Sequence, residues 1–273
     1  MKASEKLIIK FGKFLGSKKN IIFEYLVKII QALNYGIKGH EFSYYSDRNG
    51  ENELIENVIA NSDYKDMIIF DCGCNRGDYT NYLLKELNKK NNKYCIYLFD
   101  IDNVMIDICK KKFKGDSSIF INNLGLAEKA GFCEAIIYPD DRTRNSLIET
   151  PLEIGWNYHL EKVKLTTGDQ FCNLNNINRI DLLKLDLEGY DFDALKGFKN
   201  LLSKKVIKFL QFEYTFRALD RRILFKDIFE FFQSLEYEVG FIRKDGLISI
   251  KTFVPRFNDW TLGPNFYARP NNK

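Results

Sequence analysis

From residue 66 onward, short apolar runs alternate with segments of helical period, a pattern that predicts a parallel sheet covered by helices on both faces. Met67-Ile68-Ile69-Phe70 is a continuous apolar run ending at Asp71 and Gly73, which marks a buried first strand entering a tight turn. Residues 78–90 then place Tyr79, Tyr82, Leu83 and Leu87 on one helical face and Lys85, Glu86, Lys89 and Lys90 on the other. A second strand runs from Tyr94 to Phe99 and ends in Asp100; Asp102 or Asn103 caps the helix carrying Val104, Met105, Ile108 and Phe113. Further strands are predicted over 118–122, 180–185 and 206–212, with a helix over 192–202. A helix bearing Phe225, Ile228, Phe229 and Phe232 leads to segments 237–241 and 247–253, which read as a closing hairpin. Residues 125–160 are expected to be an irregular, substrate-facing excursion, because Gly125, Gly131, Pro139, Asp140, Pro151 and Gly155 punctuate short β-like pieces.

Composition adds little to choose among partners. With 273 residues, 45% hydrophobic and 29% charged, the chain suits one catalytic domain over 61–273 preceded by a helical extension or cap over 1–60. Its six cysteines lie mostly in or beside apolar runs, as expected of a reduced, cytoplasmic protein. No uncharged apolar run is long enough to span a membrane, and Lys2, Glu5, Lys6 and Lys10 begin no secretory signal. A net charge of +4 is too small a bias to indicate nucleic acid. Lys2, Lys6, Lys10, Lys13, Lys18 and Lys19 alternate with Leu7, Ile8, Ile9, Phe11, Phe14 and Leu15. That segment suits a solvated capping helix or peripheral contact with an anionic membrane.

The most informative stretch is Ile69-Phe70-Asp71-Cys72-Gly73-Cys74-Asn75-Arg76-Gly77-Asp78-Tyr79. A strand enters two glycines and then a helix, so backbone can approach a ligand while the helix N-terminus offers free N–H groups. The dinucleotide fingerprint needs a glycine where Cys74 stands, and Asp71 and Asp78 make poor company for phosphate. S-adenosylmethionine fits better, having a sulfonium cation, an ammonium group and no phosphate. Asp71 is the candidate for an electrostatic contact to it, and Asp100, 29 residues later at the end of the second strand, for its ribose hydroxyls.

These residues resemble the FkbM family of S-adenosylmethionine-dependent methyltransferases. Its loop Asp-x-Gly-Ala-Asn-x-Gly is matched by Asp71, Gly73, Asn75 and Gly77, with Cys74 replacing the alanine. Its Leu-Lys-Ile-Asp-x-Glu-Gly followed by Leu-x-Gly is matched by Leu183 to Gly189 and Leu195-Lys196-Gly197, and its Phe-Glu-Tyr by Phe212-Glu213-Tyr214. The likeness covers roughly residues 50–253; it departs at Asp100-Ile101, where the family has Glu-Pro, and at Thr167-Gly168-Asp169, where it has Thr-Leu-Asp. It implies a Rossmann-like class I methyltransferase fold: α/β, with a mostly parallel seven-stranded sheet, a C-terminal antiparallel hairpin and helices on both faces. It also implies O-methylation of a small-molecule, sugar or glycan hydroxyl. A nicotinamide-dependent oxidoreductase and a noncatalytic binding module are the alternatives.

Asp71, Gly73, Asn75, Gly77, Asp100, Ile101, Leu124 and Asp186 are accordingly expected at the cofactor. Asp186 and Glu188 are candidate bases for an acceptor hydroxyl, although both can instead cap a helix or orient the cofactor. His159 is a weaker candidate, and His40 weaker still. Lys184, Ser146 and Glu213 are candidates for the acceptor side; Asn145-Ser146-Leu147 resembles a family element at the pocket mouth, which Asn34-Tyr35-Gly36 would help close. Period-two geometry puts Lys184 and Asp186 on one strand face, and a buried lysine there predicts a partner in Glu213 or Asp186. No cysteine–histidine spacing suggests zinc and no metal is required, while a nucleobase acceptor is disfavoured because Asp186-Leu187-Glu188-Gly189-Tyr190 lacks the Pro-Pro-aromatic turn.

Overall fold

In the computed structural model the residues described are 25–26, 29–30, 49–62, 65–147, 156–258 and 265–271. The lysine-rich start, Asn34-Tyr35-Gly36 and His40 lie outside them. The chain divides into two compact units, Met1–Phe42 and Ser43–Lys273, and the architecture below is that of the second. Its first helix, α1 (Glu51–Ala60), falls within the stretch read as an extension. It nevertheless buries Leu54, Ile55, Val58 and Ile59 in one core with Ile69, Leu83 and Ile96. Their spacing forms the single apolar stripe by which a helix docks on a sheet.

The strands, in chain order, are β1 (Asp66–Cys72), β2 (Lys93–Asp100), β3 (Ile119–Asn123), β4 (Gly125–Leu126), β5 (Gly131–Ile137), β6 (His159–Thr166), β7 (Leu182–Leu185), β8 (Leu210–Glu213), β9 (Tyr237–Arg243), β10 (Gly246–Ser249) and β11 (Asn265–Pro270). After α1 come α2 (Asp78–Lys89), α3 (Asn103–Lys112), α4 (Gly168–Leu174), α5 (Asp191–Gly197), α6 (Lys199–Ser203), α7 (Phe216–Asp220) and α8 (Phe225–Ser234). The main sheet runs β10-β9-β11-β8-β7-β1-β2-β3. It is parallel through β8, β7, β1, β2 and β3, and antiparallel on either side of β11. The mostly parallel α/β sheet is therefore as expected, with eight strands instead of seven. The β9–β10 hairpin forms its edge, and β11 enters between β8 and β9. The chain winds from β1 outward to β3 and resumes at β7 on the other side of β1, so the switch point, where open α/β sheets bind their ligands, lies beyond the carboxyl ends of β1 and β7.

Period-two alternation gives each sheet face its own core. Phe70, Cys72, Phe99, Leu183, Leu185 and Phe212 fill one face. Met67, Ile69, Leu98, Leu182 and Tyr267 pack with α1 and α2 on the other. The predicted helix over 192–202 is two short helices meeting at Phe198, a fully buried ring.

Within and just after the expected irregular excursion lies a second sheet, ordered β4-β6-β5. β5 and β6 pair without a break from Gly131 opposite Leu165 to Ile137 opposite His159. Gly131 opens β5 and Pro139 follows it, so the punctuation bounds the strand and does not interrupt it. Asp102, 1% exposed, fastens this layer to the end of β2. It caps α3 by accepting from the Val104 N–H at 2.8 Å, and also accepts from Arg142 Nη1 and Asn145 Nδ2, each at 2.7 Å. Among the described residues, no helix is long and apolar enough to cross a membrane.

Candidate active site

The crevice begins with the loop after β1, where Gly73, Asn75 and Gly77 take left-handed φ values of 78°, 47° and 71°. The Gly73 and Cys74 N–H groups both donate to Phe99 O, at 2.9 and 3.0 Å, drawing the loop across the end of β2. A Cβ on Gly73 would stand 1.9 Å from the carbonyl oxygen of Asp186, so only glycine lets the loop rest on the end of β7. The Leu-x-Gly glycine has a similar cause: a Cβ on Gly197 would stand 2.1 Å from Ala127 O. Behind the loop, Cys74 Sγ lies 3.9 Å from Cys109 Sγ, and both thiols are buried and free.

Beneath the loop a polar row crosses three adjacent strands. Asp71 of β1 lies opposite Lys184 of β7, and Lys184 lies opposite Gln211 of β8. Asp71 is fully buried and Lys184 is 4% exposed. The ammonium stands 3.1 Å from Asp186 Oδ2 and 3.3 Å from Asp71 Oδ1, and donates to Gly73 O at 3.3 Å. Lys184 thus has Asp186 as a partner, as predicted; its second partner is Asp71 and not Glu213. Thr80 Oγ1 of α2 donates to Asp71 Oδ2 at 2.7 Å. Gln211 accepts from Tyr79 Oη at 3.2 Å and donates to Glu51 Oε1 at 2.5 Å, while Asn49 Nδ2 donates to Glu51 Oε2 at 3.1 Å. Burial by itself lowers the Lys184 pKa, but Asp186, Asp71 and Glu51 outweigh it and hold the ammonium well above the usual lysine value.

The turn after β7 carries a second group. Glu188, at φ 51°, places Oε2 3.1 Å from Nε of Arg217, a 3% exposed guanidinium on α7. Ser146 Oγ donates to Glu188 O at 3.0 Å. Asp191 accepts from the Glu213 and Leu187 N–H groups, at 3.2 and 3.3 Å, tying this turn to the end of β8. At the end of β2, Asp100 Oδ2 accepts from Asn75 N at 2.8 Å and Oδ1 from Asp102 N at 2.9 Å. Each oxygen keeps a further lone pair, and the side chain is half-buried and not sealed.

Several expected residues fall in other places. Lys184 and Ser146, candidates for the acceptor side, are buried and bonded to the β1 loop and the β7 turn. Asp71 is fully buried and meets Lys184 and Thr80. Ile101 and Leu124 are partly buried against the cores at the ends of β2 and β3. His159 is exposed at the start of β6, opposite Ile137, and no contact among the described residues joins it to the carboxylates. Glu51, Thr80, Gln211, Asp191 and Arg217 were not singled out from sequence. Gln211, Asp191 and Thr80 stand beside quoted motifs but outside them, Glu51 and Arg217 lie away from any motif, and strand pairing and helix docking bring all five to the site.

Carboxylates outnumber cations here, and burial leaves several protonated near neutrality. Burial, then Asp186, raises Glu188 to about 8 against the pull of Arg217 and Arg144. Burial, then Asp186, raises Asp191 to about 7 against backbone N–H donors. Burial raises Asp100 to about 6, opposed by the Asp102 and Asn75 N–H groups. Glu213 is pushed well up by burial and then by Asp186, Glu188 and Asp191. The folded state thus holds protons that the unfolded chain has released, so the free protein should lose stability as pH rises from about 5 to about 8. A thermal melting series across that window checks this; melting temperatures that climb with pH would contradict the assignment. Among the described residues, no group of His, Cys, Asp and Glu is arranged to hold a metal ion.

The methyltransferase FkbM domain matches residues 38–239 of this sequence. The chain belongs to the FkbM methyltransferase family. Among solved structures it is similar to a methyltransferase FkbM from Methylobacillus flagellatus KT, at 16% identity and a TM-score of 0.47, over 76% of this chain and 44% of that one. The chain therefore spans less than half the length of that protein. It is also similar to a TehB-like SAM-dependent methyltransferase from Corynebacterium glutamicum, at 16% identity and a TM-score of 0.40, over 90% of this chain and 96% of that one. A putative rRNA methylase from Clostridium thermocellum matches at 9% identity and a TM-score of 0.45, over 83% and 98% of the two chains. No curated protein matches the sequence. The family's domain thus lies on the mostly parallel α/β sheet described above and takes in the β1 loop, the end of β2 and the turn after β7.

Proposed function

We propose that the protein transfers a methyl group from S-adenosylmethionine to a hydroxyl oxygen of a sugar, glycan or secondary metabolite. The observation that carries this reading is the carboxylate-rich crevice beside a phosphate-averse glycine loop. Asp186, Glu188, Asp191 and Glu213 gather where Lys184 and Arg217 are the neighbouring cations, and a ligand that brings positive charge would favour release of the protons that burial keeps on Glu188, Asp191 and Glu213. The packing of Gly73 on Asp186 supports the fit, because it brings the glycine loop against the end of β7, with the half-buried Asp100 at the end of β2.

Gly73, Asn75 and Gly77 would hold the adenosyl and methionyl parts, Asp100 the ribose hydroxyls, Ile101 and Leu124 the apolar flank, and Asp186 the charged centre. The donor, when bound, supplies an electrophilic methyl group. Lys184 and Asp71 hold the loop and Asp186 in fixed positions before any acceptor arrives, which is the main service a displacement reaction needs from its protein. Glu188 is the better placed base: its pKa of about 8 lies near neutrality, and Arg217 orients its carboxylate. Nicotinamide-dependent redox chemistry is disfavoured because the loop lacks the middle glycine of the dinucleotide fingerprint, Cys74 taking its place, and carries Asp78 at the start of α2.

Calorimetric titration tests the donor half. S-adenosylmethionine and S-adenosylhomocysteine are expected to bind in the micromolar range, with Asp100→Ala weakening both by about tenfold through loss of a bidentate acceptor. NAD should give no heat. Binding of NAD without either adenosyl ligand would remove the methyltransferase reading. Radiolabelled methyl that survives alkali, as an ester does not, and is released as methyl iodide by hydriodic acid, as a C-methyl is not, tests the oxygen acceptor.

A further inference from the structure

Resting on that reading, the acceptor's recognition element can be sought in the second sheet, outside the donor crevice. Tyr138 and Trp156 flank the pairing of β5 with β6. Trp156 is 40% exposed and Tyr158 48%, while Tyr138 between them is 1% exposed. The Tyr138 ring meets Trp156 edge-on at 6.2 Å and 86°, and Tyr158 at 6.2 Å. The Arg144 guanidinium lies 4.9 Å from the centre of the Trp156 ring and is itself held by Asp141 at 2.9 Å. The indole is thus braced at its edge and on one side, yet a large part of it stays in water. Exposed tryptophan held this firmly costs solvation and gains no core, which is the mark of a binding surface.

Its surroundings say what it binds. Arg144 also acts electrostatically on Glu188, and Ser146, two residues on, donates to Glu188 O. The indole is therefore joined through Arg144 to the segment that fixes the proposed base. We propose that Trp156 and Tyr158 form a stacking platform for a sugar ring of the acceptor, with Arg144 and Asp141 hydrogen-bonding its hydroxyls. A pyranose offers an apolar C–H face to the indole and a rim of hydroxyls to the charged groups. A nucleobase would also stack, but its phosphates would meet the carboxylates gathered behind Glu188.

The chain has two tryptophans, so Trp260→Phe leaves Trp156 as the sole reporter. Titration of this protein with a panel of neutral oligosaccharides should give a saturable change in Trp156 emission for at least one member. By calorimetry the same sugar should bind Trp156→Ala about tenfold more weakly and Trp156→Phe nearly as well as the parent. Unchanged S-adenosylhomocysteine affinity in Trp156→Ala would show that the crevice is intact. No saturable response from any sugar, undiminished sugar binding by Trp156→Ala, or preference for a single-stranded RNA oligonucleotide would each overturn the platform. Those results leave the donor reading standing if S-adenosylhomocysteine still binds; absence of its binding to the parent protein removes the donor reading by itself.

Discussion

Lys184→Met is expected to destabilise the protein by about 3–5 kcal/mol, the usual penalty for leaving one member of a buried ion pair without its partner. Methionine approximates the volume of the lysine stem, so packing against Tyr79 is largely kept. The damage falls on Asp71, which is fully buried and retains only the Thr80 hydroxyl among its described side-chain partners. Asp186 suffers less, since its side chain is 36% exposed and water can replace the ammonium. The double change Lys184→Met with Asp71→Asn should recover much of the loss, because it removes both charges together. Urea midpoints of the three proteins measure this. A loss below about 1 kcal/mol in the single variant would mean that Asp71 is not held as the ion pair implies.

Gly73→Ala should reduce affinity for S-adenosylhomocysteine by about a hundredfold or more, the scale expected when a binding loop is displaced by about an ångström. The added methyl would stand 1.9 Å from Asp186 O and 2.9 Å from Asp186 C, so backbone must move, and the positive φ of 78° adds strain. Gly115→Ala separates these causes. Gly115 also has a positive φ, 93°, but nothing lies within 4 Å of its added Cβ. It should show the stability cost of the backbone conformation while binding the ligand normally. Equal affinity in both variants would show that the loop does not contact the adenosyl ligand.

Much of this was legible along the chain because it is local. The strand–glycine loop–helix sequence from Ile69 to Tyr79, the carboxylates ending β2 and following β7, and the alternation of Lys184 with Leu183 and Leu185 all declare themselves within a few residues. What escaped depends on pairing between distant segments. β11 is a short run, Phe266-Tyr267-Ala268, whose place between β8 and β9 is set by the sheet and not by its own pattern. The β5–β6 pairing brings together residues 22 to 34 positions apart across a glycine- and proline-punctuated stretch. Gln211 and Glu51 look like ordinary surface residues until Tyr79 and Lys184 are set beside them.

The polar row also bears on how the chain finds its fold. The inner strands are almost uniformly apolar, so a one-residue slip between β1 and β7 would exchange one aliphatic contact for another nearly everywhere. At Asp71 it would not: Leu183 or Leu185 would replace Lys184, burying a carboxylate against hydrocarbon and stranding an ammonium beside it. The ion pair therefore singles out one alignment of β1 with β7 among slips that the aliphatic contacts would tolerate.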